Sequence, residues 1–179
     1  MNDRFGSLEN TDDVHIFDCS LVVISAKTTE IKRRLPYENH DSLLFNVRPH
    51  TGNGSSCRSG VGKVEGVEAV LRRVQEFDQV QKIIDNDDFA GQIREKQKDI
   101  PVCSLDDLRE ADGFIFGSPT RYGNMTAQMK QLFDTTASLW MNGELEGKPA
   151  GLFTCTATTH GGQETTLLTM MTPLLHLGM

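Results

Sequence analysis

The sequence predicts an α/β protein built on a doubly wound, parallel β-sheet. GFIFGS, residues 113–118, is a nearly continuous apolar run, as expected for a parallel strand covered on both faces. KPAGLFTCT, residues 148–156, is a second strand that leads into a Gly- and Thr-rich loop. Each strand is followed by a segment with helical character, and strands that alternate with helices form parallel, doubly wound sheets.

The elements before residue 100 are less clearly marked. CSLVVISA, residues 19–26, is a short apolar run typical of a strand, and SLLFNV, residues 42–47, has the pattern of a buried strand. CRSGVGKVEG, residues 57–66, is compatible with a short helix weakened by its glycines. VEAVLRRV, residues 67–74, is an alternating segment rich in β-formers, whereas residues 75–100 are polar and predict a surface helix and loop.

Later elements carry clearer boundary signals. SLDDLREAD, residues 104–112, begins with a Ser-x-x-Asp pair that is close to a capping box and predicts a short helix. Asn124 is a suitable N-cap for a helix over residues 125–140. Residues 164–178 predict a helix that Pro173 kinks or splits. Three-and-four spacing predicts that one face of the 125–140 helix contains Met125, Met129, Leu132, Phe133 and Trp140.

Composition limits the class of protein. The length of 179 residues favours a single domain, and the net charge of -7 weighs against nucleic acid or an anionic membrane as a partner. No apolar stretch approaches the ~18 residues of a membrane span, and the polar N-terminus lacks signal-peptide features, so we expect a cytoplasmic protein. The four cysteines are far apart, which favours reduced thiols over disulfides or a metal site; they are Cys19, Cys57, Cys103 and Cys155.

Three loops follow predicted strands, at residues 48–56, 117–124 and 154–162. In a parallel sheet all three lie at the carboxyl edge, where ligands bind. The first loop, RPHTGNGSS, offers backbone N–H groups and hydroxyls that suit a phosphate, although an ordinary Gly/Asn surface turn is the more frequent meaning of such a segment. It is neither a P-loop nor a G-x-G-x-x-G fingerprint.

The second and third loops have side chains suited to a planar ligand. Pro119 constrains the second turn, and Arg121 and Tyr122 supply a cation and an aromatic face, although a plain strand-to-helix connection is an equal alternative. The hydroxyls and backbone amides of the third loop suit hydrogen bonding to a heterocycle, whereas His160 taken alone is more often a surface residue. No G-x-S-x-G elbow supports a hydrolase, and DNDD, residues 85–88, lacks the glycine of a calcium loop.

Three segments resemble the WrbA family: VEGVEAVLRRV, FIFGSPTRYGNMTAQMKQLFDTTASLW and GELEGKPAGLFTCTATTHGGQETTLLTMMTPLLHLGM. The family consists of flavodoxin-like, FMN-dependent NAD(P)H:quinone oxidoreductases, and the similarity covers roughly residues 61–179. It implies a parallel sheet of order 2-1-3-4-5 with helices on both faces, and a homo-oligomer, a dimer or usually a tetramer. It also implies ping-pong transfer of hydride from NAD(P)H to a quinone through FMN, with no catalytic side chain and no metal.

The resemblance implies a set of site residues. The cofactor-binding positions are Thr51, Gly52 and Asn53 at the phosphate; Pro119, Thr120, Arg121, Tyr122 and Gly123 along the flavin ring; and Cys155, Thr156, Ala157, Thr158, His160, Gly161 and Gly162 in the second flavin loop. Trp140 matches an aromatic residue that borders the substrate pocket, and His176 matches a histidine that reaches the flavin from a neighbouring subunit.

The chain departs from the family pattern at both ends. Pro49 and Gly54 stand where the family has phosphate-contacting hydroxyls. Residues 41–179 are the expected flavodoxin-like domain, without the fifth strand and last helix, and residues 1–40 form an atypical N-terminal extension. We expect CSLVVISA to cover part of the resulting gap at the fourth strand. Alternative functions are a non-catalytic flavin-binding or interaction module and a degenerate, truncated paralogue.

Overall fold

The fold is known from a computed structural model. The described residues are 22–28, 54–80, 86, 95, 97–156 and 158–179, with the backbone alone for 22–28 and 54–57. In chain order the elements are β1 (Val22–Thr28), α1 (Gly54–Val61), β2 (Val67–Arg72), α2 (Leu105–Glu110), β3 (Gly113–Pro119), α3 (Ala127–Asp134), α4 (Ala137–Met141), β4 (Ala150–Cys155) and α5 (Gln163–His176). The predicted strand at 42–47 and the predicted phosphate loop residues Thr51, Gly52 and Asn53 lie outside the described residues.

The described strands form one sheet of order β2-β1-β3-β4. β3 and β4 pair in parallel from Phe114↔Ala150 to Pro119↔Cys155, which confirms the prediction for these strands. β1 runs antiparallel to both of its neighbours, so the prediction of a wholly parallel sheet is wrong at this strand. The physical reason is that a short apolar strand satisfies its backbone hydrogen bonds in either direction, and its composition carries no signal that selects one.

The position of β1 also corrects the expectation for CSLVVISA. The strand lies between β2 and β3, in the interior of the sheet, and not beside β4. It therefore does not cover the outer edge of β4. Among the described residues no strand pairs with that edge.

Apolar side chains of β3 alternate between two cores, as a sheet covered on both faces requires. Phe114 and Phe116 stack with ring centroids 5.3 Å apart, and Phe133 of α3 meets Phe116 edge to face at 5.3 Å. Buried side chains of α2, α3 and α5 belong to this same cluster. Ile115 faces the other way, into a smaller cluster with Val61 of α1 and with β2. Helices thus cover both faces, as predicted for a doubly wound fold.

The helix predicted over 125–140 begins and ends differently from the expectation. Thr126, and not Asn124, is the N-cap, because its hydroxyl accepts a hydrogen bond from the Met129 N–H at 3.3 Å. Asn124 instead accepts the N–H of Met125 at 2.8 Å. The helix is interrupted at Thr135 and Thr136, where the chain passes from α3 to α4.

This interruption changes what the helix buries. The hydroxyls of Thr135 and Thr136 bond to carbonyls three residues earlier, at 2.7 and 2.6 Å, and compete with the regular helical ladder. Met129 on α3 is fully buried, whereas Trp140 on α4 is 58% exposed, so the prediction that Trp140 shares the buried face is wrong. Because the helix is broken at Thr135 and Thr136, the three-and-four spacing does not continue into α4, and Trp140 does not lie on the buried stripe of α3.

Two other helix predictions have clear outcomes. The capping box of α2 is confirmed, because the Ser104 hydroxyl accepts from the Asp107 N–H and the Asp107 carboxylate accepts from the Ser104 N–H. Pro173 lies inside α5 without splitting it. No helix in the described part of the chain is both long and apolar enough to cross a membrane.

The cysteines differ from one another. Cys103 is a buried free thiol, as predicted. Cys155 is disulfide-bonded, so the prediction of a reduced thiol is wrong at this residue. Separation along the sequence was a poor guide, because a disulfide requires proximity in the fold and not in the chain.

Candidate functional site

The candidate site lies where β3 and β4 end side by side. The register pairs Pro119 with Cys155, and the N–H of Thr120 donates to the Cys155 carbonyl at 3.0 Å. One residue earlier, the Thr154 hydroxyl donates to the Ser118 carbonyl at 2.7 Å. These bonds continue the strand pairing to the sheet edge. The loops that follow the two strands therefore leave the same edge, as predicted for parallel strands.

The loop after β3 is a tight turn that presents an arginine and a tyrosine. Arg121 and Asn124 exchange backbone hydrogen bonds of 2.8 and 3.0 Å across the turn. The central residues, Tyr122 and Gly123, have φ angles of 53° and 76°, the sign that a type I′ turn requires. A left-handed backbone costs a tyrosine about 1–2 kcal/mol, yet the Tyr122 side chain is fully exposed and gains no burial in return.

The loop after β4 packs directly against this turn. A Cβ atom on Gly162 would lie 2.7 Å from the Gly123 Cα, closer than real Cβ contacts, so the two backbones meet at a point that only glycine permits. Gly162 itself has a φ of 94° and immediately precedes α5. The glycines of the two loops thus bring the loops together at the sheet edge.

Two threonine hydroxyls join the loops through hydrogen bonds. The Oγ1 atoms of Thr120 and Thr166 are 2.9 Å apart, and Thr166 Oγ1 also lies 2.8 Å from the Gly162 carbonyl oxygen. The Gly123 N–H donates to Thr120 Oγ1 at 3.3 Å. Thr166 is fully buried. Sequence reasoning missed this residue, which lies in the first turn of α5; its position four residues after the Gly-Gly pair was the available signal.

Gln163, which sequence reasoning also missed, donates hydrogen bonds to the backbone of the loop after β4. Its Nε2 atom donates to the carbonyls of Thr158 and Thr159, at 3.2 and 3.0 Å. Its Oε1 atom is buried and has no hydrogen-bond partner among the described residues. Such an acceptor costs free energy unless a donor reaches it. The Gln that directly follows the Gly-Gly pair was the sequence signal.

Most of the predicted flavin-loop residues come together at this edge. Those that do are Pro119, Thr120, Arg121, Tyr122, Gly123, Cys155, Thr156, Thr158, His160, Gly161 and Gly162. Ala157 lies outside the described residues, as do the phosphate-loop residues. His160 is exposed on the loop surface.

His176 and Trp140 are not part of this cluster. α5 begins at Gln163 beside the loops and ends at His176, and thirteen residues at about 1.5 Å each separate its ends by about 20 Å. Beyond that end, the Gly178 carbonyl accepts the Gly147 N–H at 2.8 Å, in the segment between Trp140 and the start of β4. His176 therefore lies toward the end of the subunit opposite the two loops, and the segment that follows Trp140 reaches the same end.

The two loops contain one arginine and no carboxylate side chain: residues 117–124 and 155–162 include Arg121 and no aspartate or glutamate. The first carboxylate after them in the chain is Glu164, in the first turn of α5. The guanidinium donates to the carbonyl of Thr120 at 3.0 Å and remains exposed. Within the described part of the chain, no group of three His, Cys, Asp or Glu residues is placed to hold a metal ion. This edge is suited to an anionic or electron-rich planar ligand.

Known proteins resemble the chain over about two thirds of its length. A NAD(P)H dehydrogenase (quinone) of Geobacter metallireducens is 52% identical over 123 residues, which are 67% of this chain and 58% of that protein. A protein of the same name from Solidesulfovibrio magneticus is 46% identical over 120 residues, with the same coverage. The chain thus spans 58% of the length of these curated relatives.

A solved structure gives a more distant match. The flavodoxin, WrbA-like protein from Agrobacterium tumefaciens is 30% identical, with a TM-score of 0.39, over 41% of this chain and 47% of its own. Residues 63–179, more than half of the chain, match the family described as NADPH-dependent FMN reductase. That segment includes β3, β4, both loops and the whole of α5. The chain belongs to the NADPH-dependent FMN reductase family.

Proposed function

We propose that this chain binds FMN at the joined ends of β3 and β4 and takes part in the reduction of quinones by NAD(P)H. The observation that carries the proposal is the pair of loops locked together at one sheet edge, with Arg121 and Tyr122 exposed beside them. Relatives that match two thirds of the chain are named NAD(P)H dehydrogenase (quinone). The family match over the same residues supports FMN as the ligand.

The groups present at the edge fit the ring end of FMN. The isoalloxazine ring has N–H and carbonyl groups along one side and flat π faces, and the buried Gln163 Oε1 offers an acceptor without a partner among the described residues. Exposed threonines and backbone amides of the second loop supply donors, and neither loop contains a carboxylate that would repel an anionic ligand. When bound, FMN supplies the two-electron chemistry between NAD(P)H and a quinone.

The residues of this chain have binding and orienting roles in the proposal. Arg121 supplies a positive charge near the ring or its phosphate, and the reciprocal bonds between Arg121 and Asn124 hold that turn in one shape. Tyr122 presents an aromatic face. Thr51, Gly52 and Asn53 hold the phosphate, with fewer hydroxyls than the resemblance requires. No side chain is assigned as a proton donor or nucleophile.

We further propose that the protein acts as a homo-oligomer, a dimer or tetramer, in the cytoplasm. His176 lies toward the opposite end of the subunit from the loops, so it would reach a flavin bound by a neighbouring copy, as the resemblance implies, and Trp140 would border the substrate pocket. Large apolar side chains exposed on α4 and α5 give such a contact its surface; they are Trp140, Met141, Leu168, Met171 and Leu175. Residues 41–179 form the proposed domain, and the 1–40 extension contributes β1 to its sheet.

Flavin retention tests the proposal. The purified chain is mixed with FMN, passed through a gel-filtration column and examined for the flavin band at about 450 nm. We expect the band to stay with the protein and Arg121→Ala to reduce it, whereas Lys130→Ala, which removes an exposed cation from α3, should not. Loss of the band from the unmodified chain would contradict FMN binding.

Turnover distinguishes the enzyme from the alternative module. With FMN retained, NADPH oxidation is followed in the presence and absence of benzoquinone. We expect oxidation that depends on the quinone. A chain that retains FMN but oxidises no NADPH would support the non-catalytic flavin-binding module instead.

A further inference from the structure

We propose that Thr166 is a positioning residue for flavin binding, which holds the turn at residues 120–124 against the loop at 156–162 through the Thr120 hydroxyl. The inference rests on the proposed function, since it concerns how the FMN site is kept in shape. Thr166 lies on α5, outside both loops, and is fully buried. It therefore acts through Thr120 and not by contact with the ligand.

The hydrogens of the two hydroxyls can be assigned because each hydroxyl has one to give. The Thr166 hydroxyl donates to the Gly162 carbonyl at 2.8 Å, the usual bond of a threonine to the residue four earlier in a helix. Its oxygen is then an acceptor for the Thr120 hydroxyl at 2.9 Å. The oxygen of Thr120 in turn accepts the Gly123 N–H at 3.3 Å.

The result is one directed chain of hydrogen bonds: Gly123 N–H to Thr120, Thr120 to Thr166, and Thr166 to the Gly162 carbonyl. Its two ends are Gly123 and Gly162, whose backbones lie too close together for a side chain at Gly162. Hydrogen bonds in such a chain polarise and strengthen one another. The alternative acceptor for Thr120, the Gly161 carbonyl, is at 3.4 Å and lies on the same second loop.

This series of hydrogen bonds fixes the conformation of the turn that presents Arg121 and Tyr122. Gly123 is the second central residue of that turn, and its N–H is fixed only if the Thr120 oxygen is oriented to accept it. Without the Thr166 hydroxyl, Thr120 has a weaker acceptor and is free to rotate. We infer that the turn then samples other conformations. Because only a fraction of the molecules has the conformation that binds FMN, the apparent affinity for FMN falls.

The experiment compares variants that separate the hydroxyl from the shape of residue 166. Thr166→Val keeps the shape and removes the hydroxyl, and Thr166→Ser keeps the hydroxyl. Thr172→Val is the matched control, because the Thr172 hydroxyl makes the same kind of bond to a carbonyl four residues earlier, Leu168, at 3.1 Å, on the exposed side of the same helix. FMN affinity is measured by titration of flavin fluorescence, and amide exchange of the 117–125 peptide is measured without FMN.

We expect Thr166→Val to weaken FMN binding about five- to tenfold, the effect of one lost hydrogen bond, and to speed exchange in the 117–125 peptide. Thr166→Ser should keep the FMN affinity and the exchange rate of the unmodified chain. Thr172→Val should change neither the affinity nor the exchange rate. FMN affinity unchanged in Thr166→Val, or equally weakened in Thr166→Ser, would overturn the inference while leaving the proposed function intact. An unmodified chain that binds no FMN would overturn both.

A second test of the same hydrogen bond begins from Thr120, which is only partly buried. Thr120→Val breaks the same bond from the partly exposed loop side. If the two hydroxyls act as one unit, the Thr120→Val, Thr166→Val double variant should bind FMN no more weakly than the single variant with the lower FMN affinity. Additive losses would show that the residues act independently and would overturn the inference. FMN affinity unchanged in Thr120→Val, which does not alter the buried position, would overturn it as well.

Discussion

The ring of Phe153 occupies the space beside Gly117, so closely that a Cβ atom on Gly117 would lie 2.0 Å from the ring's Cζ. The two residues are register partners on β3 and β4. Phe153 belongs to the apolar cluster around Val61 on the second face of the sheet. The glycine is therefore required by the packing of the strand pair, three residues before Thr120 and the candidate site.

Gly117→Ala should lower the free energy of unfolding by about 1–3 kcal/mol, since the added methyl group forces the Phe153 ring or the strand to move. Gly151→Ala on β4 is the control, because its Cβ would meet Ile115 Cγ1 at an ordinary 3.7 Å. Urea denaturation measures both variants. Equal stability of the two would show that the ring moves aside without cost.

Ser118→Ala should destabilise the start of α3. The buried Ser118 hydroxyl accepts the Thr126 N–H at 3.1 Å, and Thr126 is itself buried and caps the helix. Removal of this acceptor leaves a buried donor unpaired, which we expect to lower the free energy of unfolding by about 1–3 kcal/mol.

Ser138→Ala, at an exposed position of α4, is the matched control and should change the free energy of unfolding by no more than ~0.5 kcal/mol. Chemical denaturation of the two variants gives the comparison. A Ser118→Ala variant as stable as Ser138→Ala would mean that another group accepts the Thr126 N–H.

The parts of the fold that the sequence predicted depend on local signals. The apolar run of β3 and the Ser-x-x-Asp pair before α2 both depend on residues close in the chain, and both predictions are confirmed. The joining of the loops after β3 and β4 followed from the parallel pairing of their strands. Local pattern plus one topological rule was sufficient for these features.

What the sequence could not predict depends on contacts between distant segments. The direction of β1 depends on its partners, and the N-cap at Thr126 is favoured by Ser118, which lies eight residues earlier on the neighbouring strand. Thr166 and Gln163 are ordinary helix residues by type. Their roles appear only when α5 is packed against the two loops.

Asp107 should make stability depend on pH in the acid range. Burial acts to raise the pKa of its carboxyl, but hydrogen bonds from the Arg72 side chain at 2.9 Å and from Ser104 outweigh burial and hold the pKa below its usual value. A depressed native pKa gives a contribution that is complete above the unfolded pKa and is lost as pH falls through the native pKa. The loss should therefore begin below about pH 5.

Urea denaturation of the unmodified chain and of Asp107→Asn, from neutral pH down to about pH 3, measures this contribution. The variant should be less stable at neutral pH and should lose less stability on acidification. Asp134→Asn removes an exposed carboxylate from the end of α3 and should change neutral-pH stability by ~0.5 kcal/mol at most. An identical pH dependence in Asp107→Asn would refute the role of this carboxyl.

Cys103 should resist alkylation in the native protein. Burial, with a smaller contribution from the Asp107 charge, raises the pKa of its thiol to about 12, against a weaker opposing effect of Arg72. Because the thiolate is the reactive form, iodoacetamide at about pH 8 should label Cys103 only after unfolding in urea, as read from the mass of its peptide. Since burial is the larger cause, Asp107→Asn should still label slowly while folded. Rapid labelling of Cys103 in the folded, unmodified chain would show that the thiol is accessible and the described packing around it is wrong.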